Sequence, residues 1–189
     1  MEPPERSQRL FFALWPDEES RRALSVATAR AVRRCGGRPV PVASLHVTLA
    51  FLGSVPHSQL SQLQRIAREQ AAVCAQKMPL CLTFGHLTHW PRQQILCVPA
   101  TEGSGGAHAL AVALRDATAA AGFHPDLKPF RAHVTVARKV AHFARAAALR
   151  TVVWRFAAFA LLESRTEESG AVYSVIESYS LVETEKAHE

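Results

Sequence analysis

The sequence has few cysteines and no cysteine pair of the kind that holds a metal or a redox centre. None of its four cysteines belongs to a Cys-x-x-Cys motif or stands at zinc-finger spacing from histidines: Cys35, Cys74, Cys81 and Cys97. A disulfide framework and a structural zinc site are therefore not expected. Reduced thiols in a cytoplasmic protein are the simplest interpretation.

The sequence also lacks a long apolar run. No stretch approaches the roughly 18 apolar residues that are needed to span a bilayer. Residues 1–6, MEPPER, have no apolar segment of the kind found in a signal peptide. We expect a cytoplasmic protein that makes no contact with a membrane.

The composition is that of a globular protein with a basic surface. With 189 residues, 48% of them hydrophobic, the chain is long enough to bury a core. The formal net charge of +6 favours an anionic partner such as nucleic acid, although a solvated basic surface explains the same charge. A functional site is needed to decide between these two interpretations.

The apolar pattern predicts strands and helices that alternate in the first part of the chain. The predicted strands cover residues 10–15, 45–52, 78–88, 94–98, 132–137, 152–162 and 172–182, and the predicted helices cover residues 16–34, 60–71, 107–121 and 142–149. Gly53 is expected to close the second strand before the next helix begins.

The two halves of the chain repeat one spacing. Phe11 precedes His46 by 35 residues and Ile95 precedes His133 by 38, and each interval holds one predicted helix. This predicts an α+β fold of two pseudo-symmetric sheet-and-helix lobes around a central cleft, with a doubly wound parallel sheet as the alternative. We treat residues 1–189 as a single domain, expected to be a monomer, whose lobes can exchange terminal strands.

Each half contains a His-Val-Thr segment. On an extended strand His46 and Thr48 point to one side, and His133 with Thr135 repeats the pattern. If both polar stripes face one groove, one imidazole can accept a proton from water while the other donates one to a departing ribose oxygen. The threonine hydroxyls can stabilise the phosphate in the transition state, so this chemistry requires no metal and no cofactor.

The bare triplet is weak support for catalysis. With nine histidines and ten threonines, chance supplies about 0.5 His-x-Thr triplets in a chain of this length. A third triplet, His86-Leu87-Thr88, has no counterpart in the repeat, and we interpret it as incidental. Half-buried histidine and threonine on the exposed face of a sheet are the structural alternative for any single segment.

Longer segments around the two histidines resemble a known family. Residues 44–53, SLHVTLAFLG, and residues 128–138, KPFRAHVTVAR, are similar to the two signature segments of the two-histidine phosphoesterases, and within them to the RNA 2',3'-cyclic phosphodiesterases, or bacterial 2'-5' RNA ligase family. Residues 9–14 and 90–98 are also similar to that family. Ala132 replaces the family's usual proline and Val136 its commoner leucine, and both changes keep the strand apolar.

The resemblance implies an activity and a set of roles. It implies hydrolysis of a terminal 2',3'-cyclic phosphate of RNA to a 2'-phosphomonoester, with His46 as proton donor and His133 as proton acceptor. Thr48 and Thr135 take the phosphate-binding positions, and reverse 2'-5' ligation is implied as well. The alternatives are a phosphodiesterase for another cyclic or 2'-5' linked nucleotide and a non-catalytic module that binds RNA ends.

Other residues are secondary candidates for the site. Arg131 shares the strand parity of His133, so its guanidinium is expected to reach phosphate, and Arg138 does so if the strand bends after Ala137. Trp90 and Phe51 are candidates for stacking on a base, with core packing as the alternative for Phe51. We expect no metal at His86 and His89, because they point to opposite faces of a strand.

Overall fold

The computed structural model describes residues 6–75, 78–143, 147–167 and 170–182. Within these ranges the chain forms nine strands, three α-helices and two short 3-10 helices, Val42–Ser44 and His57–Gln59. The strands are β1 (Ser7–Leu14), β2 (Arg38–Pro39), β3 (Val47–Pro56), β4 (Leu80–Trp90), β5 (Ile95–Glu102), β6 (His133–Arg138), β7 (Ala147–Phe156), β8 (Ala158–Glu167) and β9 (Gly170–Ser180), and the helices are α1 (Glu18–Arg34), α2 (Leu60–Cys74) and α3 (Ser104–Ala120).

Helix α1 begins where its acidic sequence predicts. The Asp17 carboxylate accepts a hydrogen bond from the Ser20 backbone N–H at 2.7 Å, and this bond lowers the pKa of Asp17. The helix ends before Gly36, whose φ of +65° lies in the left-handed region that glycine adopts easily.

Two antiparallel sheets form the framework. One has the strand order β3-β1-β8-β9, and the other has the order β2-β6-β5-β4-β7. The last two strands of the chain thus complete the sheet begun by β1 and β3, while β2 from the first half lies at the edge of the other sheet. The two-lobed α+β fold is confirmed, and the parallel alternative is wrong.

Both faces of β1 are buried. Leu10, Phe12 and Leu14 join the main core, whereas Phe11 and Ala13 join a smaller cluster on the other face. Full burial of each large apolar side chain contributes roughly 1.5 to 3 kcal/mol, so the strand is firmly held. The smaller cluster lies on the side that carries the histidine of β3.

One helix of the first half is fixed to the second sheet. The fully buried Trp154 of β7 donates a hydrogen bond from its indole Nε1 to the Ser20 carbonyl of α1 at 2.9 Å. Satisfying the indole N–H allows this large ring to be buried without an unpaired donor. This contact helps to hold the two lobes in one arrangement.

Two details of the predicted strands are wrong. Gly53 does not close a strand: it lies inside β3 with φ of +73°, beside a register shift between Leu10 and Phe11 of β1. The predicted strand 152–162 is two strands in different sheets, because the chain turns at Ala157. The first error arises because a glycine inside a strand at a register shift looks like a glycine that ends a strand. The second arises because an apolar run does not reveal where it changes neighbours.

The predicted helix over residues 142–149 is also wrong where the structure describes it. Residues 147–149 open β7, which pairs with β4, and residues 144–146 lie outside the described residues. Alanine favours helices locally, but pairing with an existing strand overrides that preference.

Candidate active site

The two predicted histidines line one small pocket between the sheets. His46 comes just before β3 and His133 opens β6, so each sheet contributes one imidazole. The pocket has a volume of about 30 Å³ and shares Thr48 and His133 with the larger space beside it. Its lining is Val40, Ser44, His46, Thr48, His133, Thr135, Arg138 and Tyr173.

The backbone orients both imidazoles in the same way. Nδ1 of His46 lies 2.7 Å from the carbonyl oxygen of Ser44, and Nδ1 of His133 lies 2.6 Å from that of Arg131. A carbonyl can only accept, so Nδ1 carries a proton in each ring and Nε2 is the nitrogen that can exchange one. In both halves the carbonyl belongs to the residue two positions before the histidine. The repeated sequence segments therefore hold their imidazoles by the same local contact.

Thr48 is already engaged with its histidine. Its Oγ1 lies 3.0 Å from Nε2 of His46. When that nitrogen is unprotonated, the hydroxyl donates to it, and when it is protonated, the hydroxyl accepts from it. The same contact therefore serves both protonation states of His46.

Burial lowers the pKa of His46 to about 4. The positive charges of Arg138, His133 and Arg21 act in the same direction, while the hydrogen bond to Ser44 opposes them. Burial also lowers the pKa of His133, and the charges of Arg138 and Arg131 add to the effect. In the absence of an anion, both imidazoles are therefore neutral near pH 7.

Aromatic rings account for the burial of His46. Its ring centroid lies 5.2 Å from that of Phe11, 5.6 Å from that of Trp15 and 5.0 Å from that of Tyr173. These rings exclude water but cannot stabilise the positive charge as water does. They also fix the plane of the imidazole.

The two candidate arginines, Arg138 and Arg131, lie in different parts of the site. Arg138 lines the histidine pocket although it has the opposite strand parity, because β6 shifts its pairing with β5 by one residue between Thr135 and Ala137. Arg131 precedes β6 and lies outside this pocket, with its guanidinium 5.6 Å from the centroid of the Trp90 ring. Strand parity does not govern Arg131, because the regular strand begins only at His133.

A larger groove adjoins the pocket. It has a volume of about 830 Å³ and shares Thr48 and His133 with the histidine pocket. Trp90 and Phe51 both line it, and the Trp90 ring centroid lies 4.5 Å from that of His133. The groove thus has the size and the aromatic walls to accept a nucleoside beside the two histidines.

The loop after α3 is tied to this groove. The backbone N–H of Asp126 donates to the Phe51 carbonyl at 2.9 Å, and Asp126 also pairs with Lys128 at 3.0 Å. Both residues line the groove. This wall is therefore held by backbone bonding as well as by side chains.

Three aromatic residues of the site were not predicted from the sequence. Phe11 and Trp15 belong to an apolar run that is buried on both faces. The sequence therefore has no polar residues in alternate positions to show which side faces His46. Tyr173 comes from β9, and only the return of that strand to the first sheet brings it to the pocket.

The described residues give no indication of a metal centre or a membrane span. Within them, no three histidine, cysteine, aspartate or glutamate side chains converge as metal ligands. In the same part of the chain, no helix combines the length and apolarity required to cross a bilayer.

Comparison with known proteins gives matches over most of the chain. The 2'-5' RNA ligase superfamily model matches residues 16–168. An RNA 2',3'-cyclic phosphodiesterase of Thermus thermophilus is 31% identical over 183 residues, 92% of this chain and 90% of that protein. The Escherichia coli protein of the same name is 30% identical over 131 residues, 69% of this chain and 72% of that protein.

Solved structures match in the same way. The crystal structure of Escherichia coli LigT complexed with 3'-AMP has a TM-score of 0.84 and 25% identity, covering 94% of this chain and 100% of that chain. The crystal structure of TT0787 of Thermus thermophilus has a TM-score of 0.76 and 30% identity, covering 92% of this chain and 97% of that chain.

Proposed function

The chain belongs to the 2'-5' RNA ligase superfamily, and on that premise we propose that it hydrolyses the 2',3'-cyclic phosphate at the end of an RNA to a 2'-phosphomonoester. It is an enzyme of the cyclic phosphodiesterase class, as its two curated relatives are. The observation that carries the proposal is the pair of imidazoles in one pocket, each with Nδ1 held by a carbonyl and Nε2 left for proton exchange.

The proposed reaction uses one histidine for each proton. Water attacks the phosphorus while Nε2 of His133 accepts the water proton. The bond between phosphorus and the 3' oxygen breaks as Nε2 of His46 donates its proton to that oxygen. The products are a 2'-phosphomonoester and a 3'-hydroxyl, and each positioned acid or base contributes typically 10²- to 10⁴-fold to the rate.

The remaining pocket residues bind the phosphate in this scheme. Thr48 and Thr135 donate hydroxyl hydrogen bonds to its non-bridging oxygens, and Arg138 supplies a positive charge. Donors fixed before the reaction stabilise the charge that builds in the transition state, at roughly 2.7 to 4 kcal/mol for one good donor. If a 5'-hydroxyl of RNA replaces water, the same two proton transfers produce a 2'-5' linkage.

Two histidine variants test the assignment. We expect His46→Ala and His133→Ala to reduce hydrolysis of a nucleoside 2',3'-cyclic phosphate by at least about 100-fold each. His124→Ala is the matched control, because that histidine is exposed and lines neither the pocket nor the groove. Full activity of His46→Ala would contradict the proposal.

The product and the metal requirement are tested in the same assay. Both proton transfers are assigned to imidazoles, so we expect activity to survive EDTA. The product should be the 2'-phosphate, identified by comparison with 2'- and 3'-phosphate standards. A 3'-phosphate product would contradict the assigned donor and acceptor, and RNA binding without turnover would favour a non-catalytic module that binds RNA ends.

A further inference from the structure

The third His-x-Thr triplet lies on the catalytic face of the second sheet. Thr88 of β4 pairs with Cys97 of β5, and Cys97 pairs with Thr135 of β6. Directly paired residues of neighbouring strands point to the same face, so Thr88 and Thr135 share one. Sequence spacing gives no reason to connect this triplet with the other two. The pairing of β4, β5 and β6 places Thr88 two strands, or about 10 Å, from Thr135.

Two residues of the triplet, His86 and Thr88, line a cavity that shares no residue with the histidine pocket. Leu87 is fully buried on the core side, so its neighbours His86 and Thr88 point to the other side. There they line a cavity of about 540 Å³, together with Ser104 and His108 of α3. The opposite wall includes Arg131.

This cavity continues the nucleoside groove. Trp90, Phe130 and Arg131 line both spaces. The groove in turn shares Thr48 and His133 with the histidine pocket. The three spaces therefore lie in one row: histidine pocket, groove and cavity.

The cavity lining suits an anion. Its residues include the guanidinium of Arg131, the imidazoles of His86 and His108 and the hydroxyl of Ser104, and they include no carboxylate. In the part of the chain that the structure describes, the side chains of Arg131, His86 and His108 take part in no ion pair or hydrogen bond, although Arg131 lies over the Trp90 ring and His108 beside the Phe130 ring. These donors are available to a ligand, and arginine in particular can bind phosphate through two parallel bonds.

We propose that this cavity is the subsite for the second-to-last nucleotide of the RNA substrate, with the phosphate that joins it to the terminal nucleotide bound by Arg131. This rests on the proposed function. The cyclic phosphate occupies the histidine pocket, the terminal nucleoside occupies the groove, and the chain leads past Arg131 into the cavity. His86, His108 and Ser104 then contact the sugar and phosphate of the second-to-last nucleotide.

The test compares a mononucleotide with a dinucleotide. Kinetics are measured on adenosine 2',3'-cyclic phosphate and on the adenylyl dinucleotide that ends in the same cyclic phosphate. We expect kcat/KM of the wild-type enzyme to be about tenfold or more higher for the dinucleotide, as expected for one added charge-assisted hydrogen bond.

Two variants address the cavity alone. His108→Ala removes a donor, and Gly105→Leu places a side chain in the cavity, because a Cβ at Gly105 meets nothing within 4 Å. Each should remove most of the dinucleotide preference by raising KM, and leave kcat/KM for the mononucleotide unchanged. Ala109→Leu is the matched control, since Ala109 is an exposed residue of α3 that does not line the cavity.

The outcomes separate this inference from the proposed function. If wild-type enzyme hydrolyses neither substrate, the proposed function is wrong. If it hydrolyses both equally well and the variants leave the ratio unchanged, the subsite is wrong while the function stands. An equal loss on both substrates in His108→Ala would also overturn the subsite, because it would place the effect on catalysis.

Discussion

The protonation of His46 should depend on whether an anion occupies the pocket. In the free protein, burial beside Phe11, Trp15 and Tyr173 and the nearby positive charges lower its pKa to about 4. A proton donor must carry its proton, yet at pH 7 only about one molecule in a thousand does so with this pKa. We expect substrate binding to supply the missing protonation.

The size of the effect follows from Coulomb's law. One negative charge about 4 Å from the imidazole favours its charged form by about 4 kcal/mol at an effective dielectric constant of about 20. Each pH unit corresponds to 1.36 kcal/mol, so the pKa of His46 should rise by about three, from about 4 to about 7. The bound substrate thus stabilises the protonated form of His46, which its own cleavage requires.

NMR titration of the imidazole signals measures this directly. The His46 signal, assigned with His46→Gln, should titrate near pH 4 in the free protein and near pH 7 with saturating 3'-AMP. Exposed His124, which lines neither the pocket nor the groove, serves as the internal control, and its signal should not respond to the ligand. Kinetics give a second measure, because kcat/KM reports the free enzyme and kcat reports the complex.

Two results would refute this reasoning. A His46 pKa near 6.5 in the free protein would mean that the aromatic rings do not desolvate it. An unchanged pKa with ligand bound would mean that the phosphate does not lie beside it. We expect instead that the optimum of kcat lies at a higher pH than that of kcat/KM.

Three further predictions concern the same region. Because the pKa of His46 is about 4 in the folded protein and about 6.5 in the unfolded one, its contribution to stability is complete above about pH 6.5 and is lost as the pH falls towards 4, and the lowered pKa of His133 acts in the same direction. Urea denaturation should show a loss of up to about 3 kcal/mol from His46, and a pH-independent midpoint would contradict this. Tyr173→Ala should admit water to His46 and raise its free pKa towards 6.5, whereas Tyr173→Phe should not, in the same NMR titration. Burial raises the pKa of Cys97 to about 12, so a thiol reagent at pH 8 should modify Cys97 only after unfolding. Peptide mapping distinguishes it from the partly exposed Cys74 and Cys81, and rapid modification of Cys97 in the native protein would refute its burial.

The sequence predicted the two histidines and two threonines of the pocket better than the residues around them. His46, His133 and their threonines stand in two repeated strand segments, so parity and spacing were enough to propose one groove. The structure brings all four to one pocket. Their roles as donor, acceptor and phosphate ligands remain proposals.

What the sequence could not predict depends on contacts between distant segments. Tyr173 reaches His46 only because β9 crosses to the first sheet, and no local pattern encodes that crossing. Thr88 joins the face of Thr135 only through the register of β4, β5 and β6. Arg138 lines the pocket against its parity, because the pairing of β6 with β5 shifts by one residue between Thr135 and Ala137, which reverses the side of every later residue.

The pairing of β8 and β9 with the first sheet has a consequence for how the protein folds during its synthesis. During synthesis β1 and β3 emerge early, but β8 and β9, which complete their sheet, are made more than 100 residues after β3. Pairings so distant along the chain are slow to form, and they leave strand edges exposed until they close. The contact of Tyr173 with His46 therefore forms only after β9 has been made, and a chain released early should carry the motif without the complete pocket.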